Sequence, residues 1–311
     1  MRFAVNAWTE FGASFARVLM NQDAHFFKGG LTLKYLAGSA NGYINIDNFS
    51  GTVARDALLN MTHLTNASGR IATGFAGMNV SGFEAKDLFK MKSSGFGADL
   101  GFVYEYRPDP EMQTVDGFKL DNNYKNTYRF KFGVALTDIG SIKYKKDPRR
   151  SGTYDIDIPA NEFMPLRQLN NVDVDDYNQF FAERPQFFIP VGAGSEPDYA
   201  VSLPTTLQVE ADLLLHDGWY LNLASQISLS NNPGKPYNNR SYTGFTLTPR
   251  YEGKAFGGYL PLNYNPLTKL NAGLAFRAGP LFFGSGSLLT AVMGDSKQAD
   301  FFIGLRLGEL K

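Results

Sequence analysis

The 311-residue chain contains no cysteine, which excludes a disulfide framework, a thiolate metal site and a cysteine nucleophile. It has only three histidines, His25, His63 and His216. None has a partner at a metal-ligand spacing such as HxxxH, so no zinc or iron site is expected. Neither sign of charge is in excess: the formal net charge is zero, which leaves no basic footprint for nucleic acid. No run approaches the roughly 18 apolar residues of a transmembrane helix. There is no GxSxG motif and no phosphate loop; Gly284-Ser285-Gly286-Ser287 reads as a turn without a Walker lysine. A barrel phospholipase would need a serine and a histidine on adjacent outward positions, and Ser225 has no histidine at its height. No enzyme activity, catalytic residue, metal or cofactor is therefore expected. The start, MRFAVNAWTEFGASFARVLM, is also no secretory signal, because Glu10 and Arg17 interrupt it.

Aromatics and glycine are plentiful, with 26 Phe, 16 Tyr and 32 Gly, a composition that suits sheets with aromatic girdles and tight turns. The clearest pattern is Leu203 to Leu229. In steps of two, Leu207, Val209, Ala211, Leu213 and Leu215 fall on one face and Gln208, Glu210 and Asp212 on the other. After His216-Asp217-Gly218 the alternation resumes, with Trp219, Leu221, Leu223, Ile227 and Leu229 opposed to Asn222, Gln226 and Ser228. This is a β-hairpin whose arms are long enough to cross a bilayer at a tilt. An apolar face against lipid and a polar face on a wet lumen predict an all-β, antiparallel transmembrane β-barrel. The negative mean hydropathy agrees with that, since half of each barrel strand is polar.

Further strands are read at Phe11–Leu19, with Trp8 as an interfacial anchor, and at Gly29–Ala37, with Thr32 and Lys34 inward. A turn at Asn41-Gly42 leads into Tyr43–Ile46. Ala72–Met78 reads as a strand and Phe83–Met91 as a short helix. Gly95–Tyr106 alternates, and residues 108–124 have loop composition. Tyr128–Leu136 continues into Ser141–Tyr144 past Gly140, where a bend or bulge is expected. Tyr242–Glu252, Phe256–Leu262, Leu270–Arg277 and Ala299–Leu307 complete about ten to twelve strands. The chain reads as a single domain, 1–311, with residues 147–199 as a long loop or plug-like insertion. The acidic Asn171–Phe180 lacks the glycine and terminal glutamate of a calcium loop and reads as a solvated acidic loop. If Leu270–Phe283 is one strand, the insertion lies on the side of the carboxy terminus; if Ala278-Gly279-Pro280 is a turn, it lies opposite. Short periplasmic turns favour the second arrangement.

Several stretches resemble a known group. Asp138–Tyr144 (DIGSIKY), Leu203–Leu207 (LPTTL), Tyr259–Asn265 (YLPLNYN), Gly279–Gly286 (GPLFFGSG) and Ala299–Arg306 (ADFFIGLR) are similar to uncharacterised outer-membrane β-barrel proteins of Bacteroidota. That family is of unknown function and distantly akin to FadL-like transporters. The resemblance implies an architecture and an outer-membrane location, and carries over no catalytic residue or ligand. Members begin with a signal peptide, so this chain is expected to be a fragment or a trimmed chain. The alternative is a cytoplasmic protein that starts at Met1.

The expected lumen-lining residues are Asp99, Glu105, Arg129, Lys131, Glu210, Asp212, Arg250, Glu252, Arg277 and Arg306. Opposed basic and acidic ladders could set a transverse field in a pore; the simpler reading is that they pair and hold the barrel together. Three functions are weighed. One is a transport or channel barrel for a small or hydrophobic solute. Another is a structural or accessory barrel in a secretion, gliding or envelope-assembly complex. The last is a soluble β-sandwich in which the apolar face is core. The expected partners are outer-membrane lipid and, for the second function, an envelope-complex protein.

Overall fold

Alternating apolar and polar residues give strands of period two, and glycine, proline and Asn/Asp pairs punctuate them. A computed structural model describes residues 1–22, 24–56, 61–79, 84–86, 92–108, 114–115, 118–119, 128–192, 198–230, 235–253, 255–294 and 297–306. The chain opens with β1 (Arg2–Gln22) and β2 (His25–Asp56), paired antiparallel from Gln22↔His25 to Arg2↔Asn45. On its other side β2 meets two strands in succession. Its later half pairs with β3 (Met61–Gly77), and residues 25–38 pair with β4 (Ser93–Tyr106). A two-residue hairpin, β5 (Thr114–Val115) and β6 (Phe118–Lys119), stands apart. Then comes β7 (Phe130–Tyr144), which pairs with β4.

The insertion supplies β8 (Gly152–Ile158), β9 (Met164–Pro165), the short helix α1 (Tyr177–Ala182) and β10 (Phe188–Pro190). β11 (Tyr199–Ser202) and β12 (Thr206–His216) return the chain to β7. The rest is a meander of β13 (Trp219–Ser228), β14 (Gly244–Glu252), β15 (Phe256–Tyr259), β16 (Leu262–Asn265), β17 (Lys269–Ala272), β18 (Leu274–Ala278) and β19 (Leu281–Ser285). The five-residue helix α2 (Leu288–Val292) precedes β20 (Phe302–Leu305). All these pairings are antiparallel, in the order β1-β2-β4-β7-β12-β13-β14; β14 then pairs with both β15 and β16, β15 with β18, β16 with β17, β18 with β19, and β19 with β20. Among the described residues β1 and β20 are each paired on one side only.

The hairpin of β12 and β13 has Ala211 opposite Leu223 and turns at Asp217-Gly218, both at positive φ, as the sequence led us to expect. Gly279 is likewise a turn residue, φ +55°, between the paired β18 and β19. One end of the sheet thus carries the turns at Asp217-Gly218 and Gly279-Pro280 together with Arg306. The opposite end carries the insertion, the segment between β13 and β14, and α2.

Two local readings need correction. Asn41-Gly42 is no turn: β2 runs through it, with Asn41 opposite Asn6 on β1 and Ala76 on β3. Ladders on both sides outweigh the local Asn-Gly preference. Trp8 is no interfacial anchor; it packs on the buried cluster of Leu36, Ala76, Ile142, Tyr144, Val201 and Leu203. The expected helix at Phe83–Met91 falls outside the described residues except for 84–86.

The insertion has a core of its own. Tyr154, Ile156, Ile158, Met164, Phe180, Phe181 and Phe188 form a core with Leu64, Ala67 and Ile71 of β3. It is a small cap on the extended β2–β3 pair, beyond the end of β1. Asp175, expected in a solvated acidic loop, is buried there and ion-paired with Arg150 at 2.8 Å.

Candidate functional site: a charged interior

The two faces of the sheet have opposite chemistry, and the polar face buries charge at particular clusters. Leu31, Leu33, Phe96, Leu213, Leu223, Leu270, Phe276 and Phe283 are all exposed. Lys34 and Asp212, on the other face, are 8% and 3% exposed. In water each half-exposed Leu or Phe forgoes roughly 1 kcal/mol of burial, so the eight together forgo on the order of 8 kcal/mol, the size of a domain's net stability. No described element covers that apolar face, which a β-sandwich would require.

Lys34, in the first third of β2, sits opposite Gly12 and Gly97, and these two glycines leave room for its side chain. Its ammonium lies 2.8 Å from both Asp99 and Asp138 and 3.4 Å from Glu10. A β-bulge brings the carboxylates together. Between Ala98↔Ile139 and Leu100↔Leu136, Asp99 alone faces both Thr137 and Asp138. Asp99 accepts a hydrogen bond from the Asp138 N–H at 2.8 Å. Gly140 follows at φ +150°, where a Cβ would collide with the Phe96 carbonyl oxygen. Thr205 Oγ1 donates to the Asp138 carbonyl at 2.7 Å, and the Leu203 N–H donates to that of Gly140 at 2.9 Å. Two of the stretches that carry the family resemblance, DIGSIKY and LPTTL, therefore meet at this bulge.

Nearer the turn end a second network runs from strand to strand. Arg250 clamps Asp212 through two bonds of 2.6 and 2.9 Å, and its guanidinium stacks 4.7 Å from the Tyr220 ring. Tyr128 donates to Asp212 at 2.6 Å. Glu252 lies 3.6 Å from Arg250 and 3.2 Å from Arg277, and accepts from Tyr259 at 2.8 Å. On β4, Glu105 pairs with Arg107 at 2.6 Å, and Arg107 lies over Phe26. Lys131 is opposite Asp212 and Glu105 in register, and its ammonium is 5.9 Å from the Tyr128 ring. Glu210 remains exposed, accepting from Asn222 at 3.0 Å. Bidentate arginine–carboxylate pairs of this kind fix geometry as well as charge.

Of the ten expected lumen residues, the structure joins Asp212, Arg250, Glu252 and Arg277 into one chain. It places Asp99 in the lysine cluster and Glu105 beside Arg107. Arg129 and Arg306 lie just outside β7 and β20 and are exposed, so they do not enter these networks. Lys34 was read as inward but not as part of a charged site, and Glu10 and Asp138 were missed. Lys34 falls on the polar face by period two, but nothing in the spacing brings three carboxylates from β1, β4 and β7 to it. The charges pair between neighbouring strands and cancel locally, and no cluster of described residues has the makings of a metal site.

A family profile matches residues 1–286, nearly the whole of this architecture. The chain belongs to the Family of unknown function (DUF5723). No curated protein and no solved structure matches it. The match takes in the lysine cluster, the Asp212–Arg277 network and the cap, so all three fall within the part of the chain that defines this family.

Proposed function

We propose that the protein is an outer-membrane β-barrel that carries a small or hydrophobic solute. The observation that carries this is the inverted sheet: exposed leucine and phenylalanine outside, ion-paired side chains inside. Among the described residues no helix is long and apolar enough to cross a membrane, so a crossing there would be made by strands. The exposed aromatics supply two girdles. Tyr106, Trp219, Tyr251 and Phe256 lie towards the turn end, and Phe96, Tyr242, Phe245 and Tyr264 towards the cap end. Phe96 and Tyr106 share a face of β4 ten residues apart, roughly 33 Å along the strand and about 25 Å of height at a 40° tilt, the apolar thickness of such barrels.

The resemblance to Bacteroidota outer-membrane barrels, distantly FadL-like, supports the same reading and gives no ligand. Two short turns, at Asp217-Gly218 and Gly279-Pro280, share one end with the longer connection between β4 and β7, and the larger cap at the other end favours a periplasmic turn end with the cap outside. A second reading, a structural or accessory barrel of an envelope complex, is favoured by the fullness of the interior at the cap end, where Leu36, Ile142, Tyr144 and Leu203 are buried.

The test is extraction and electrophoresis of the full chain, unheated and heated, followed by planar-bilayer recording. Detergent dependence, heat-modifiable migration and discrete conductance steps are expected for a solute barrel. Heat-modifiable migration with no conductance and a stable co-purifying protein would move the case to the accessory reading. A monodisperse protein that needs no detergent would end both.

A further inference from the structure

The sheet ends in two edges, and their directions do not match. From β1 through β2, β4, β7, β12, β13 and β14, then the two-part strands β15–β16 and β17–β18, to β19 and β20, every neighbour is antiparallel. Those are eleven positions, an odd number, so β1 and β20 run the same way. They cannot close on each other as an antiparallel pair. One further strand, antiparallel to both, makes the count even, as in bacterial outer-membrane barrels. Over Thr9–Gln22 the outer edge of β1 meets no described strand. That stretch holds no proline or lysine of the kind that blocks an edge, and an open edge does not persist in hydrocarbon. Phe11, Ala13 and Phe15 share the outward face with Tyr35, Leu33 and Leu31. Phe11 and Phe15 are exposed, as are Ile303 and Leu305 on β20. On the inward face lie the small Gly12, Ser14 and Ala16, and Glu10. Glu10, 37% exposed, shares Lys34 with Asp99 and Asp138, so three carboxylates divide one ammonium beside this edge.

We propose that the free edge of β1 is a docking site for one extended strand of a partner protein, apolar on its lipid side and carrying a lysine or arginine inward at the level of Glu10. Backbone pairing supplies the affinity, as in other cases of strand addition. The inward cation supplies the register, because it neutralises charge that Lys34 alone leaves in excess. A second copy fits less well: over this stretch its β1 would present Glu10, Gly12, Ser14 and Ala16 on the inner face, with no cation. The inference rests on the barrel reading above.

The absence of native cysteine allows a donor fluorophore at Ala13→Cys on the full chain, reconstituted in phosphatidylcholine vesicles after a check for heat-modifiable migration. The probe is a synthetic acceptor-labelled peptide of about ten residues, the length of a spanning strand, alternating leucine and serine with one central lysine on the serine face. Its controls carry glutamate in place of that lysine, or a fully N-methylated backbone with no N–H to donate. Saturable energy transfer is expected with the lysine peptide and none with the methylated one. The lysine peptide should bind roughly tenfold more tightly than the glutamate peptide, and Glu10→Gln should shrink that ratio to about threefold or less. If no peptide binds, or all three bind alike, while the chain remains heat-modifiable, the docking site is wrong and the barrel stands. Oxidation without peptide gives two further refutations: an Ala13→Cys disulfide between two chains puts a second copy at the edge, and an Ala13→Cys to Ile303→Cys disulfide within one chain means that β1 and β20 close directly. A chain that needs neither detergent nor lipid removes the barrel and the docking site with it.

Discussion

On β8 of the cap the apolar half of the alternation is inside: Tyr154, Ile156 and Ile158 are buried, and Asp155 and Asp157 point outward. On β12 of the main sheet the halves are exchanged. Leu213 and Leu215 are exposed, and Asp212, next to Leu213, is buried in its clamp with Arg250. Both strands obey the same period of two. On the barrel reading proposed above, what differs is the medium that each outer face meets. The cap is assembled like a water-soluble domain, and the sheet is assembled like one turned inside out. Periodicity alone reports that a strand exists; only the burial of its polar half reports which solvent it was built for.

The comparison can be broken or sharpened by substitution, and the largest effect belongs to the cap. Phe181 packs between Phe180, Phe188 and Tyr154. Truncation of Phe181 to alanine should cost about 3–5 kcal/mol, measured as lost protection of the cap from limited proteolysis while the sheet stays heat-modifiable. Next comes the interior of the sheet. Asp212→Ala removes both bonds of the clamp, leaves the buried Arg250 only its longer contact with Glu252, and should cost about 3 kcal/mol in unfolding from detergent or lipid. Asp212→Asn, which still accepts from Tyr128 and Arg250, should cost less.

The outer face supplies the sharpest contrast. Leu223, mid-strand between Ala211 and Leu247, should tolerate alanine, but Leu223→Arg should cost roughly 2–4 kcal/mol in a bilayer. On a water-facing surface the same arginine would cost almost nothing, so an unchanged unfolding midpoint would contradict the lipid-facing assignment.

The smallest effect is acid sensitivity of the cap. Burial alone would raise the Asp147 carboxyl, but hydrogen bonds from the Arg150 guanidinium and the Arg149 N–H outweigh it and hold the group below its ordinary range. A depressed folded-state value means the contribution is fully present above the unfolded value, near 4, and is lost as pH falls below it. Asp147→Asn should therefore flatten the cap's stability profile between about pH 5 and 3. An unchanged slope would show that this pair is fully screened.

Much of this molecule was legible in its sequence because long strands repeat one simple rule many times. The Leu203–Leu229 hairpin, its Asp-Gly turn and the bulge before Gly140 all stand where period and turn chemistry put them. Two kinds of feature did not show. Asn41-Gly42 carries a strong local turn preference, and only the partners on both flanks, distant in sequence, hold it extended. The cap core draws Leu64, Tyr154, Phe180 and Phe188 from separate short segments, so no window of the chain displays a continuous apolar face. The same holds for the interior site. Asp212 and Arg250 were placed on the polar face one strand at a time, but their clamp spans β13, and the Lys34 cluster needs register across β1, β2, β4 and β7.

The central claim is that the leucine and phenylalanine face of the sheet meets lipid. The most direct measurement is a spin-label scan of β13, one cysteine at a time from Trp219 to Ile227 in the cysteine-free chain, reconstituted in bilayers. Collision with molecular oxygen, which concentrates in lipid, is compared with collision with a water-soluble nickel chelate. The account predicts a period of two, with labels at Trp219, Leu221, Leu223 and Ile227 relaxed by oxygen and those at Asn222 and Gln226 shielded from it. Labels at the odd positions that are relaxed by the nickel chelate, or a scan with no alternation, would contradict it.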